Sequence, residues 1–204
     1  MQYRDISTDT QTVYRLAANE KMVFFMLNRT GDITIELAGS GATAHVFALY
    51  SGKGTLKQSL TLTQKHLAPD TISSVLIKSA LDDQSSFTYD GAIEIAPDAH
   101  RSDASLESRA LLLSADARAT ARPTLEILAH DVSCHHAAAT SPINAEALYF
   151  AQSRGLSAAK ARDLLVQGFF QEAIEKMQTL CVNFQFPIHN VQTMFNESIS
   201  ELQH

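Results

Sequence analysis

The chain has 204 residues, 45% of them hydrophobic, so a folded core is expected and a disordered chain is excluded. Only 16 Lys and Arg stand against 22 Asp and Glu, which gives a net charge of −6. No basic run supplies the phosphate-neutralising surface that binding to a nucleic acid needs.

The sequence also lacks the features of membrane and secreted proteins. No apolar stretch approaches the roughly 20 residues needed to cross a bilayer, and the first residues lack the pattern of a signal peptide. The two cysteines, Cys134 and Cys181, are far apart in the sequence. We therefore expect free thiols in a cytoplasmic protein.

Before Pro142 the sequence has the two-residue period of β-strands. Ile33, Ile35 and Leu37 alternate with polar residues, and similar runs occur at 46–50, 60–63, 72–77, 92–95 and 124–128. Gly, Pro and Asp separate many of these runs, and no ten-residue helical pattern interrupts them, which disfavours a doubly wound α/β fold. Strands spaced by roughly ten residues fit a sandwich or a β-helix equally well. The aromatic content of 7% favours the narrow interior of a β-helix only slightly.

After Pro142 the period becomes helical, so we predict a β-rich body over 1–141 and a helical domain over 142–204. Asn144 is a suitable N-cap and Gly155 a suitable terminator for a first helix, and Ser157 can cap a longer second one. The predicted apolar stripe of the second helix is Ala161, Leu164, Leu165, Phe169, Ala173, Ile174 and Met177. A third helical pattern follows Pro187. Such short helices must pack on the body, on a partner, or on both.

The residues most suited to chemistry are Cys134, His135 and His136. In a strand, Cys134 and His136 would project from one face and His135 from the other. A thiolate and an imidazole suit zinc, iron or an iron–sulfur cluster, but two ligands do not complete a site. The remaining ligands would come from His66, His100, His130 or another chain. The alternative, a buried cysteine beside partly exposed histidines, remains open.

Other catalytic patterns are weak or missing. His136 is too close to Cys134 along a strand to act as its base, and the sequence contains no nucleophile elbow, zinc-protease motif or phosphate-binding loop. Any nucleotide chemistry would therefore come from a partner. Glu126 is expected to face outward from a strand. Phe169 continues the helical stripe, whereas Phe170 falls partly off it and either packs or faces a partner.

Several blocks of the sequence resemble the SufB/SufD family of iron–sulfur cluster assembly proteins, and the match is closer to the SufD branch. The resemblance begins at the run from His66 to Ser73 and continues through the following strands. Its most specific blocks are Asp131-Val-Ser-Cys-His-His136, Ser153-Arg154-Gly155 and Gly168-Phe169. The resemblance implies a mainly β fold, a right-handed parallel β-helix followed by a small C-terminal α-helical domain.

The resemblance also implies partners and a site. Family members pair through their β-helices, here with a SufB-like or identical subunit, and their helical domain docks a SufC-like ABC-type ATPase. A transient iron–sulfur cluster would be built where the two β-helices meet. His136 occupies the position of the histidine implicated in the SufD branch, and Cys134 is the second candidate ligand. The implied partner-binding residues are Ser153, Arg154, Gly155, Phe169 and Phe170.

This sequence departs from the family pattern in three ways. It is shorter than most members and looks like a family member without the N-terminal helical region and early β-helix turns. Ala137 replaces the usual glycine, and the cysteine-rich motif of many SufB proteins is absent. Three hypotheses follow: a non-catalytic assembly scaffold, an interaction module that docks the ATPase through 144–177 without metal, or an enzyme acting on a small molecule. The lack of a complete acid–base or nucleophile set argues against the enzyme.

Overall fold

The computed structural model describes residues 1–181, which form a β-rich body followed by two helices. The strands are β1 (Gln2–Asp5), β2 (Val13–Leu16), β3 (Lys21–Leu27), β4 (Gly31–Leu37), β5 (Thr43–Gly52), β6 (Lys57–His66), β7 (Ile72–Leu81), β8 (Ser86–Ile95), β9 (Ser102–Leu112), β10 (Arg118–Ile127) and β11 (Val132–Pro142). The helices are α1 (Ala145–Ser153) and α2 (Ala158–Leu180). Within residues 1–181 no helix is long and apolar enough to span a membrane.

The strands coil into a parallel β-helix. Odd-numbered strands form a six-stranded sheet, sheet A, in the order β1-β3-β5-β7-β9-β11, and even-numbered strands form a five-stranded sheet, sheet B, in the order β2-β4-β6-β8-β10. Each strand pairs in parallel with the strand two further along the chain. The mainly β fold with a β-helix is confirmed, which decides between the two architectures that the strand period left open.

The core lies between the two sheets because alternate residues of every strand point inward. Ile33, Ile35 and Leu37 of β4 are at most 2% exposed, as their alternation predicts. Small side chains such as Ala44, Ala48 and Ala104 let the sheets approach each other, and the rings of Tyr50 and Phe87 stack with their centroids 4.1 Å apart.

Gly91 shows how closely this interior is packed. A Cβ at this position would lie 2.5 Å from both Tyr89 Oη and Leu106 Cδ1, well inside van der Waals contact. Tyr89 can therefore fold over β8 only because residue 91 has no side chain.

The β-helix corners use residues that tolerate a left-handed backbone. Asn19, Asn28, Asp70 and Asp83 have φ between 51° and 60°, a conformation that short polar side chains adopt with little strain. Asn28 also uses its Oδ1 to accept the backbone N–H of Ser51 at 2.8 Å. These corners explain why turn formers recur through the first 130 residues.

The two helices begin and end where the capping residues predict. Asn144 Oδ1 accepts the backbone N–H of Ala147 at 2.9 Å, Ser157 Oγ accepts that of Lys160 at 3.3 Å, and Gly155 follows α1 with φ +92°. α2 packs on the outer face of sheet A, where Phe170, Ala173 and Met177 contact the strands. The helical pattern after Pro187 lies outside the described residues.

Some strand predictions fell short of the structure. All seven strands from β5 to β11 extend over ten or eleven residues, whereas the predicted runs have four to six, and β1, β2, β3 and β9 were not predicted. The alternation is masked because polar residues also point inward, including Gln64 and His66, both fully buried.

Candidate functional site

Strand β11 forms one edge of sheet A. It pairs with β9 over all eleven residues, and in the part of the chain that the structure describes no strand pairs with its other side. Val132 and Cys134 pack partly against the core, so even-numbered residues of β11 continue the inner face of the sheet. Odd-numbered residues, including His135, belong to the outer face.

His136 ends a column of buried side chains. It lies in register with Leu106 on β9. The same column continues along the β-helix through Val75, Val46 and Phe24 on the next strands of sheet A. Those four residues are at most 3% exposed, whereas His136 is exposed. An imidazole therefore occupies the position at which the apolar core reaches the open end of the β-helix.

Cys134 ends the neighbouring column. It lies in register with Ala104, then Ser73 and Ala44. Because Cys134 and His136 are two residues apart on one strand, their side chains leave the same face of β11 as neighbours. His135 lies on the opposite face, where its Nε2 is 3.1 Å from Ser133 Oγ.

The environment of Cys134 favours the protonated thiol. Partial burial raises its pKa, and the negative charge of Asp103 on β9 raises it further. A thiol in this state is a poor nucleophile. A thiolate would form here when a metal ion or another positive charge approaches.

The described residues do not complete a metal site. No group of three or more His, Cys, Asp and Glu side chains within residues 1–181 is arranged to hold a metal ion. His66 cannot join Cys134 and His136, because it is fully buried, with Nδ1 2.7 Å from Thr71 Oγ1 and Nε2 2.8 Å from Ser73 Oγ. Burial lowers the pKa of His66 to about 4, so its imidazole is neutral near pH 7.

A cavity of about 410 Å³ lies beside β11, between the outer face of sheet A and the C-terminal end of α2. Phe47 and Leu76 line it, together with His135 and with Lys176 of the helix. Sequence analysis missed this cavity because its lining comes from four strands and a helix distant in sequence. Only the register of the strands reveals the outer-face column that joins Phe47, Leu76 and Glu107.

The predicted partner-binding residues are divided between the surface and the interior. Ser153 and Arg154 lie at the exposed end of α1, where the Arg154 guanidinium is 4.9 Å from the centre of the Phe150 ring. Tyr149, Phe150 and Leu164 are 74%, 60% and 51% exposed, large apolar side chains whose exposure the sequence analysis did not identify. Leu164 belongs to the predicted apolar stripe but does not pack on the sheet, because α2 contacts sheet A mainly from Phe170 onward.

Phe170, for which the sequence left packing and partner contact open, packs in the interior. Phe170 is completely buried between α2 and sheet A, whereas Phe169 is partly exposed. The two rings meet edge to face with centroids 5.2 Å apart, and Lys78 Nζ lies 4.6 Å from the centre of the Phe169 ring. The difference arises because the helix faces the sheet with the line Phe170, Ala173 and Met177.

Comparison with known proteins identifies the family. The family model for the SUF system FeS cluster assembly SufBD core domain matches residues 19–169. The chain belongs to the SufBD family. It is 35% identical over 151 residues to an iron–sulfur cluster assembly SufBD family protein of Mycobacterium leprae, which covers 70% of this chain and 38% of that relative.

The SufD and SufB proteins of Bacillus subtilis are similar to an almost equal degree. SufD is 28% identical over 144 residues, or 71% of this chain and 33% of SufD. SufB is 29% identical over 136 residues, or 66% of this chain and 29% of SufB. The comparisons thus assign the family without separating its two branches, and the chain spans about a third of the length of these relatives.

Proposed function

We propose that this SufBD family chain is a cytoplasmic, non-catalytic scaffold subunit for the assembly of iron–sulfur clusters. In this role β11 pairs with a SufB-like or identical subunit, and Cys134 and His136 contact a transient cluster held between the two chains. The supporting observation is that the thiol and the imidazole share one face of an edge strand, each at the open end of a core column.

The composition of β11 supports pairing with a second chain. An open edge usually carries charges or is very short, because an unprotected edge recruits other strands. β11 is eleven residues long and contains no Asp, Glu, Lys or Arg. By contrast, β1 has four residues, two of them charged. The edge of β11 thus lacks the usual protection and is suited to a partner strand.

The ligand count explains why the scaffold would need its partner. Cys134 and His136 supply two ligands, and a four-iron or two-iron cluster needs about four. The cluster would therefore be cargo shared between chains. The raised pKa of Cys134 fits this role, since the thiol keeps its proton near pH 7 and a bound metal ion would displace it.

The helices would dock the SufC-like ATPase. Tyr149, Phe150 and Leu164 are exposed apolar side chains of the two helices, and Arg154 adds a cation beside Phe150. Ser153 and Gly155 shape the turn between the helices, with the Ser153 hydroxyl bonded to the Phe150 carbonyl at 2.8 Å. Phe169 and Phe170 would act from beneath by holding α2 on sheet A.

Complementation tests this proposal. In cells that depend on this chain for cluster maturation, His136→Ala should abolish activity of cluster-containing enzymes while the protein stays folded. His135→Ala is the matched control, since it changes the adjacent residue on the opposite face and should retain activity. Full activity of His136→Ala would reject the proposed ligand and favour an interaction module without metal.

A further inference from the structure

Helix α2 is attached to the β-helix by two ionic contacts of opposite polarity. Near its start, Arg162 Nη2 donates to Asp82 Oδ1 at 2.8 Å and to the Leu113 carbonyl. Ten residues later, the Glu172 carboxylate accepts from Lys78 Nζ at 2.6 Å and from Arg109 Nη1 at 3.0 Å. The two contacts are about 15 Å apart along the helix axis.

This reversal of polarity selects one position for the helix. The helix contributes the cation at Asp82 and the anion at Lys78. A helix lying in the opposite direction would bring Arg162 toward Lys78, and a helix shifted by one turn would leave both charges of the β-helix unpaired. Either arrangement leaves a buried charge uncompensated, which is strongly unfavourable.

Lys78 is buried only because α2 covers it. Its side chain belongs to the outer face of sheet A, in register with Leu49 and Arg109, and is 1% exposed. Its ammonium also donates to the Phe169 carbonyl at 2.5 Å. Removing an ammonium from water opposes docking of the helix, and the bond to Glu172 offsets that cost.

The apolar part of the contact lies mainly toward the second half of the helix. Its buried helical members are Phe170, Ala173, Met177 and Cys181, with Val166, Phe169 and Leu180 partly buried beside them. They cover buried residues of sheet A, which are Val23, Phe25, Phe47, Leu49, Leu76 and Ala80. Leu164 in the first half stays about half exposed. Beside this contact, Lys176, Thr179 and Leu180 of α2 line the cavity of about 410 Å³ against sheet A.

We propose that α2 detaches from sheet A as a unit while the β-helix stays folded, and that the Lys78–Glu172 pair sets the fraction of docked helix. Only two residues, Ile143 and Asn144, join β11 to α1, and four residues join α1 to α2. Detachment of α2 therefore changes the constraint on the strand that carries Cys134 and His136. This consequence for the site rests on the proposed function, but the detachment itself does not.

Lysine accessibility and hydrogen exchange of the full chain test the proposal. Glu172→Gln removes the charge that compensates Lys78, and Glu175→Gln is the matched control on the exposed side of the same helix. In Glu172→Gln, pulsed acetylation of Lys78 and amide exchange in α2 should rise by roughly tenfold, the factor expected when one charge-assisted hydrogen bond is weakened. Exchange in β5 and β7 and labelling of the exposed Lys53 should not change.

A second variant tests the opposite direction. Replacing the pair with Lys78→Leu and Glu172→Leu removes the cost of burying charge, so α2 should exchange more slowly than in the unmodified protein. Unchanged exchange and labelling in Glu172→Gln would overturn the proposal. If Glu172→Gln fails to fold, the test is made on the unmodified protein, in which the backbone amides of α2 must exchange faster than those of β5 and β7. Equal protection of these amides would show that α2 and the β-helix unfold together, which would overturn the proposal.

Discussion

The Nε2 atom of His66 lies 2.8 Å from the Ser73 hydroxyl, inside the β-helix and without exposure to solvent. The other ring nitrogen, Nδ1, lies 2.7 Å from the Thr71 hydroxyl oxygen. Burial lowers the pKa of His66 from 6.5 to about 4. The folded protein therefore holds this imidazole neutral under conditions in which the unfolded chain would protonate it.

Acid should destabilise the protein through His66. The loss of stability begins as the pH falls below about 6.5, where the unfolded state binds a proton that the folded state does not, and it levels off near pH 4, the pKa of His66 in the folded state. Chemical denaturation should show a free energy of unfolding about 2 to 3 kcal/mol lower at pH 4.5 than at pH 7.5. His66→Gln should reduce this difference and His100→Gln, at an exposed position, should leave it intact. An equal difference in all three proteins would contradict the assignment.

Gly91 should not accept a side chain. In Gly91→Ala the new Cβ would overlap Tyr89 Oη and Leu106 Cδ1, so we expect the free energy of unfolding to fall by about 1 to 3 kcal/mol. Gly168→Ala is the control, because a Cβ there meets no atom within 4 Å and should stabilise α2 by about 0.5 to 1 kcal/mol. Gly91→Ala with unchanged stability would show that the core is less closely packed than described.

Cys134 should react slowly with alkylating agents near pH 7. Burial and the charge of Asp103 raise its pKa, so the reaction rate should reach half its maximum above the ordinary pKa of a thiol. The rate is best measured as a function of pH in Cys181→Ser, which leaves one thiol. Asp103→Asn should move the midpoint to lower pH, whereas Asp116→Asn should not. A midpoint below the ordinary value would mean that Cys134 is an activated thiolate.

The exposed apolar side chains of the two helices should bind the ATPase. Truncation of both Phe150 and Leu164 to Ala should raise the Kd for a SufC-like ATPase by roughly tenfold or more, because exposed apolar anchors dominate such interfaces. Isothermal titration calorimetry with the purified ATPase measures this change. Val13→Ala removes a 45% exposed apolar side chain from the β-helix and should have no effect. Equal loss in both variants would argue against a specific surface.

The strand period predicted the β-rich body, and the capping residues predicted both helices. Asn144, Gly155 and Ser157 could be identified from sequence because a cap depends on residues within four positions. The β-helix itself could not be derived from the period, since inward alternation is the same in a sandwich. The prediction of a β-helix instead of a sandwich came from the resemblance of the Cys134–His136 block to the SufB/SufD family.

The parts that sequence analysis missed depend on distant contacts. The strand period does not predict that Lys78 is buried, because only the position of α2 makes it a buried partner of Glu172. Phe170 was assigned partly outside the stripe because the direction in which a helix faces a sheet depends on packing. The open edge of β11 likewise becomes visible only when the pairing of all strands is known.

The most direct test measures iron and sulfide on the complex itself. The chain is purified without oxygen together with a SufB-like subunit and the ATPase, and iron, sulfide and nitrogen coupling to the reduced cluster are measured. The account predicts a cluster coupled to an imidazole nitrogen in the unmodified protein and in His135→Ala, and loss of that coupling in His136→Ala. A cluster with unchanged nitrogen coupling in His136→Ala, or a complete complex without iron, would contradict it.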